Sequence, residues 1–303
     1  MKKSMIALSA MALLGSSAVL AASPNVQGGS SNYGKVSPYA SNHGTFGGYN
    51  SGLDLNGHGS AIDLAGGPIN GSNNAIAAGG NGGIMRPVHM GMLPLPIDVA
   101  QVWKASASNG SAKFVINSVR QITTLSFAPQ FGGLVIGQVA DASGTPLAVG
   151  SGVYFGEWAP RAAGTPPTNS TNLNMADSGR TVWYVGDNAV QNTPTLTNVT
   201  YNVIGIRGVG TAADNLPAAP KLYTGVLTAN YGSGSSNTLV GNLSRAGDTS
   251  VPISATIYGN GTFRNTAATI EGRFYNNADA LAGIYTGGGT AASNIAFGGS
   301  RSN

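Results

Sequence analysis

The sequence predicts a mainly β protein. An N-terminal loop-rich β domain covers residues 22–175, and a C-terminal eight-stranded antiparallel β-barrel covers residues 176–303. Three observations predict this. The chain holds 46 glycines among many Ser, Thr and Asn residues, a composition suited to short strands joined by tight turns. Its last third repeats short apolar runs separated by turn clusters. It also has no cysteine, so a packed core or a closed sheet must do what disulfides do in many exported proteins.

Residues 1–21 read as a signal peptide. Lys2 and Lys3 precede the apolar run Ile6–Leu14, and SSAVLA at 16–21 is a small-residue cleavage region, with the cut after Ala21 or Ala22. The run is too short to cross a bilayer, and no later segment is long and apolar enough. The mature chain is expected to be soluble and exported. With no cysteine after the signal, no lipid anchor is expected.

Residues 22–83 are rich in Gly and Asn, yet Tyr33, Tyr39, Phe46, Tyr49, Leu53, Leu55, Ile62 and Leu64 are spaced through them. That pattern suits an ordered but irregular half-domain. Residues 84–98 (IMRPVHMGMLPLPID) are apolar and broken by proline. A short helix is expected around Pro96–Ala105. Strands are expected at Lys113–Val119, Gln121–Phe127, Gly133–Val139 and Gly152–Trp158, and residues 159–180 read as a long loop. Eight barrel strands are then expected: Thr181–Gly186, Val199–Ile206, Leu222–Tyr231, Thr238–Arg245, Ile253–Tyr258, Ala267–Tyr275, Ala280–Thr286 and Asn294–Gly298. Alternation is plain in TIEGRFY at 269–275 and LAGIY at 281–285. Closure into a barrel removes the open edges that would invite aggregation.

Only 9% of residues are charged, and two of the 15 basic ones are Lys2 and Lys3. Nucleic acid is therefore not an expected partner, because phosphate binding needs clustered Lys and Arg. Enzyme motifs are absent too. There is no Gly-x-Ser-x-Gly elbow between a strand and a helix and no His-Glu-x-x-His. Asp54 and Asp63 are too few and too local for a glycosidase pair. The glycine pairs at 57–59 and 208–210 lack a βαβ setting, and the scattered acids give no calcium loop. The chain is expected not to be an enzyme.

The side chains able to ligate a soft or borderline metal are concentrated. All three histidines, His43, His58 and His89, precede residue 90, beside Met85, Met90 and Met92. A metal or metallated cofactor held through nitrogen or sulfur would bind largely there. The plain alternative for each histidine is a loop residue with no ligand.

The C-terminal residues resemble a known family. VTYNVIG at 199–205, LPAAP at 216–220 and LYTGVLTANYGSG at 222–234 resemble the start of the C-terminal barrel of transferrin-binding protein B and related surface proteins of Gram-negative bacteria. ATIEGRFYNNADALAGIYTG at 268–287 and IAFGGSR at 295–301 are similar to that family's closing pattern, and GVYFGEWA at 152–159 fits the strands ahead of such a barrel. Most members carry a lipidated N-terminal cysteine, which this chain lacks. In that respect it resembles hemophilin, the secreted haem-binding branch.

The resemblance implies a haem b-binding handle domain and a barrel recognised by an outer-membrane translocator of the surface lipoprotein assembly modulator type. It also implies delivery of haem to a TonB-dependent outer-membrane receptor for iron acquisition, with free haem and haemoglobin both open as the source. On that reading His89 and His43 are the preferred axial pair, with His58 as substitute. Arg86, or more weakly Lys35, would pair with a propionate. Met90, Phe46 and Tyr49 would line the porphyrin. Tyr33, Tyr39 and Tyr49 read as core aromatics of a loop-rich domain, or one of them as lining the porphyrin or replacing a histidine, and Trp103, Trp158 and Trp183 read as packing residues. A surface protein binding a host protein such as transferrin or a complement regulator is the alternative. An outer-membrane pore ranks last, because the strands are short and their outer positions are often Thr, Asn or Ser.

Overall fold

A computed structural model describes residues 25–45, 48–125, 129–164, 170–211, 213–232, 234 and 236–302. The expected signal peptide, Phe46 and Phe127 lie outside the described residues.

Strands β1 (Gln27–Ser30), β2 (Val36–Ala40), β3 (Ser51–Leu55) and β4 (Ile62–Asp63) are followed by helix α1 (Asn70–Gly79) and β5 (Gly83–Met85). Next come β6 (Ala100–Asn109), β7 (Ala112–Gln121), β8 (Gly133–Ala140), β9 (Val153–Ala159) and β10 (Thr181–Gly186). The barrel strands are β11 (Leu196–Ile206), β12 (Tyr223–Tyr231), β13 (Thr238–Ser244), β14 (Val251–Ile257), β15 (Thr262–Arg264), β16 (Ile270–Tyr275), β17 (Ala280–Tyr285) and β18 (Ile295–Arg301). One antiparallel sheet has the order β1-β10-β9-β8-β7-β6-β5, a second is β2-β3-β4, and β11 to β18 close into an antiparallel barrel.

The expected fold class holds, with corrections inside it. Thr181–Gly186, expected as the first barrel strand, lies between β1 and β9 in the seven-stranded sheet. The eighth barrel strand is instead β15, a three-residue element. The last strand of the first sheet thus ends at Gly186, and the first barrel strand begins at Leu196. The helix expected at Pro96–Ala105 is the start of β6, and β7 ends at Gln121, where a new strand was expected. The Asn- and Gly-rich 70–79 stretch forms α1.

The middle of the seven-stranded sheet is buried on both faces. Strands β8, β9 and β10 have no exposed residue, and such strands read as unbroken apolar runs. One face packs Leu134, Ile136, Trp158 and Trp183 against Val36, Leu53 and Ile62 of the small sheet and Ala75 of α1. The other packs Phe114, Val135 and Phe155 against the barrel wall, where Ile204, Ala282, Ile284 and Ala296 point outward. Alternate residues of the same wall, Val203, Leu281, Ile295 and Phe297, fill the barrel with Phe263 and Phe274. This explains the closing motif IAFGG physically. Its residues alternate between barrel interior and sheet, and a Cβ at Gly298 would lie 2.3 Å from the Phe155 ring. On the free side, Pro252, Ser254 and Thr256 face solvent while Ile253, Ala255 and Ile257 face inward. Apolar inside and polar outside is the reverse of a membrane barrel.

A buried ion pair ties the two halves. Arg180 meets Glu157 through Nε at 2.8 Å and through Nη2, and both side chains are fully buried. Glu157 also accepts the backbone N–H groups of Gly208 (2.8 Å) and Val209 (2.7 Å), just past β11. Arg180 donates to the carbonyls of Ala291 and Asn294, just before β18. At the far end, Asn109 donates through Nδ2 to the carbonyls of Val203 (2.9 Å) and Gly225 (2.7 Å).

Candidate functional site

The segment between β5 and β6 forms one end of the first domain. Pro87 opens a 3-10 turn, Pro87–Met90, that Gly91 closes at φ 74. Proline fixes the chain direction here and prevents β5 from continuing. The Arg86 N–H donates to His89 Nδ1 at 3.0 Å, and Asn74 of α1 donates to the His89 carbonyl at 2.9 Å. The half-buried His89 is therefore held on a turn anchored to the helix.

The turn sorts its apolar residues in two directions. Met90 and Met85 are buried and close on Gly71 of α1. Met90, expected to line a ligand, is a core residue. Val88 (49% exposed), Met92 (36%), Leu93 (76%) and Leu95 (43%) face out. Arg86, Val88, Pro94, Leu95, Pro96 and Asp98 line an open cleft of about 390 Å³, within the size range of small-molecule sites. The Arg86 guanidinium sits 2.8 Å from Asp98, both half-exposed, a surface pair of small energetic weight.

The other candidates stand on the small sheet. His43 follows β2; its N–H donates to the Ala61 carbonyl at 3.0 Å, and its Nδ1 accepts the Thr45 N–H at 3.2 Å. His58 is exposed in the turn after β3, where Asn56 and Gly57 adopt positive φ and Asp54 accepts the Gly59 N–H at 2.9 Å. Tyr49 is exposed at φ 62, its N–H bonded to the Ser41 carbonyl. The structure thus brings His89 together with Arg86 and the apolar loop, and His43 with Ala61. Among the described residues, no group of three or more His, Asp or Glu is arranged to hold a metal ion.

The donor set fits an axial imidazole with one condition. A neutral imidazole binds metal through one nitrogen and keeps its proton on the other. In both His89 and His43, Nδ1 accepts a backbone N–H, which places the ring proton on Nε2. Ligation through Nε2 requires Nδ1 to take the proton and release that backbone group.

A second concavity was invisible in the sequence. A cleft of about 600 Å³ lies between the first sheet and the barrel and includes Asp141, Asn188, Asn276, Asp279 and Arg301. Its walls come from distant parts of the chain, so no local pattern marks it. Asn276, Asn277 and Ala278 beside it form a left-handed run, with φ of 53, 56 and 67.

No family model matches the chain. Among solved structures, HpuA from Kingella denitrificans in complex with human haemoglobin is similar at 15% identity and TM-score 0.38, over 93% of this chain and 89% of that one. Transferrin-binding protein B from Actinobacillus pleuropneumoniae is similar at 14% identity and TM-score 0.31, over 67% and 98%. The N-lobe of lactoferrin-binding protein B from Moraxella bovis is similar at 15% identity and TM-score 0.30, over 67% and 80%.

Proposed function

We propose that the chain is an exported haem-binding protein of iron acquisition, hemophilin-like, that takes haem at the β5–β6 end of its first domain. The observation that carries this reading is the setting of His89. It is an imidazole on a fixed turn, flanked by outward-facing Val88, Met92, Leu93 and Leu95 and by the Arg86 guanidinium. Bound haem supplies a Lewis-acidic iron that accepts one or two neutral imidazole nitrogens. His89 would be the primary ligand through Nε2, with its ring proton on Nδ1 and the Arg86 N–H released. Val88, Leu93 and Leu95 exclude water from a porphyrin face. Arg86, paired with Asp98 in the structure, would hold a propionate by a charge-assisted pair of the same kind. A second imidazole would have to come from the small sheet, from His43 or from His58 as its substitute. Export across the outer membrane relies on a translocator that reads the barrel. Delivery is to a TonB-dependent receptor, with haemoglobin as one haem source.

Titrating purified protein with haemin and recording absorption tests this. A saturable Soret band that weakens or shifts in His89→Ala is expected. No band, or one unchanged in a His43→Ala/His89→Ala double variant, overturns it.

The outward apolar loop also favours a second reading, docking of a host protein such as transferrin or a complement regulator. A colourless, haem-indifferent protein that retains a purified serum protein, and loses it in Leu93→Asp, would establish that reading instead.

A further inference from the structure

We propose that Glu271, with the rings of Tyr184 and Tyr258, forms a binding site for an organic cation, an ammonium or guanidinium group, on the seam between the first sheet and the barrel.

Glu271 lies on β16, whose alternate residues Ile270 and Phe274 fill the barrel. Its side chain therefore points outward, toward β1 and β10. Oε1 is buried with no hydrogen-bond partner. Gly29 of β1 lies directly against it: a Cβ there would sit 2.5 Å from Oε1 and 2.5 Å from the Tyr184 ring. A buried acceptor without a donor is rare and costly, and an ionised one more so.

The chain's own cations are close but engaged elsewhere: Arg273, two residues along the same face of β16, donates to the carbonyls of Val190 and Asn260 at 3.0 Å. Arg264 is the direct cross-strand partner of Glu271 in the β15–β16 register, where opposite charges normally pair. Its guanidinium instead lies over Tyr258, 5.0 Å from the ring centroid. Among the described residues no ion pair includes Glu271. Burial raises its carboxyl above the ordinary range, and no cation pulls it back.

Two clefts share Glu271 as a wall. One, of about 480 Å³, includes Tyr184, Tyr258, Asn260, Phe263 and Arg264. The other, of about 380 Å³, includes Ser30, Ser31, Thr286, Thr290 and Asn294. An unpaired carboxylate beside tyrosine faces selects a cation, and rings favour weakly hydrated ones. A lone carboxylate is too small a donor set for a metal ion. An ammonium or guanidinium group satisfies Oε1 and stacks on a ring at once, and Tyr258 already does the latter for Arg264.

The test is calorimetric titration of the full chain with methylguanidinium and with N-acetyl-arginine methylamide, at constant ionic strength, with sodium as control. Saturable binding that falls by about tenfold or more in Glu271→Gln supports the site. Tyr258→Ala, an exposed position, is expected to weaken binding with the far-UV circular dichroism unchanged. Binding of methylguanidinium alone marks a free small cation, and binding of both marks an arginine side chain of a partner. No saturable binding to the native chain, or equal binding in native chain and Glu271→Gln, overturns the proposal.

Discussion

Replacing Arg180 by Met strands the carboxylate of Glu157 in the seam between the first sheet and the barrel. Both side chains of the pair are 0% exposed. The two N–H groups of Gly208 and Val209 that remain on Glu157 hydrate one charge incompletely. Breaking a buried pair by removing one partner costs about 3–5 kcal/mol, mostly from the unpaired charge left behind. The Arg180→Met/Glu157→Gln double variant carries no stranded charge. It loses the Arg180 bonds to the carbonyls of Ala291 and Asn294 and half of the acceptor capacity at Gly208 and Val209. Arg180→Met alone loses the same two carbonyl bonds, so they cancel in the comparison; the acceptor lost at Gly208 and Val209 costs about 1–3 kcal/mol, less than the stranded charge, and the double variant is therefore more stable than Arg180→Met alone. The assay is urea unfolding followed by tryptophan fluorescence, since Trp103, Trp158 and Trp183 are all buried in the first sheet. Midpoints are compared at unchanged slope. A double variant that loses the sum of the two single losses would refute the coupling.

Asp187 is buried and accepts the N–H groups of Ser51 (2.6 Å), Gly150 (2.9 Å) and Gly152 (3.1 Å). Asp187→Ala is expected to cost about 3 kcal/mol or more by orphaning them, read as a lower unfolding midpoint. Glu271 is held above its ordinary carboxyl value by burial. Its folded-state value exceeds the unfolded one, so its ionisation destabilises the fold as pH rises through the raised value. Glu271→Gln should therefore raise the melting temperature at about pH 7, with the gain disappearing by about pH 3. Ala268 is exposed at φ 53; Ala268→Gly is expected to stabilise by about 1 kcal/mol, and a loss in thermal unfolding would contradict that account of the turn.

The barrel was legible because its strands alternate and its turns are marked by Gly, Asn and Asp. Strand β15 escaped because its three residues follow directly on the Gly259–Gly261 turn. Thr181–Gly186 was legible as a strand but not as a member of its sheet. Val182 and Tyr184 face the barrel while Trp183 and Val185 face the small sheet, and an apolar run buried on both sides names no neighbour. Helix α1 was hidden by poor intrinsic propensity in NGSNNAIAAG; packing of Gly71 and Ala75 under Met85 and Met90 overrides it. At the candidate site, the company of His89 was readable because Arg86, Val88 and Leu93 lie within a few residues of it. The inward turn of Met90 and the anchoring of His43 on Ala61 were not, since both depend on tertiary packing. Glu271 gave no sequence signal, because Gly29, Tyr184 and Arg264 meet it only once sheet and barrel are assembled.

The most direct test of the central claim is the absorption spectrum of the chain titrated with haemin, read beside that of His89→Ala. The account predicts a sharp, saturable Soret band in the native chain and a lost or displaced band in the variant, which stays folded by far-UV circular dichroism. A native chain that gives only the broad absorption of free haemin, or variants at His89 and His43 that together leave the band intact, would contradict it.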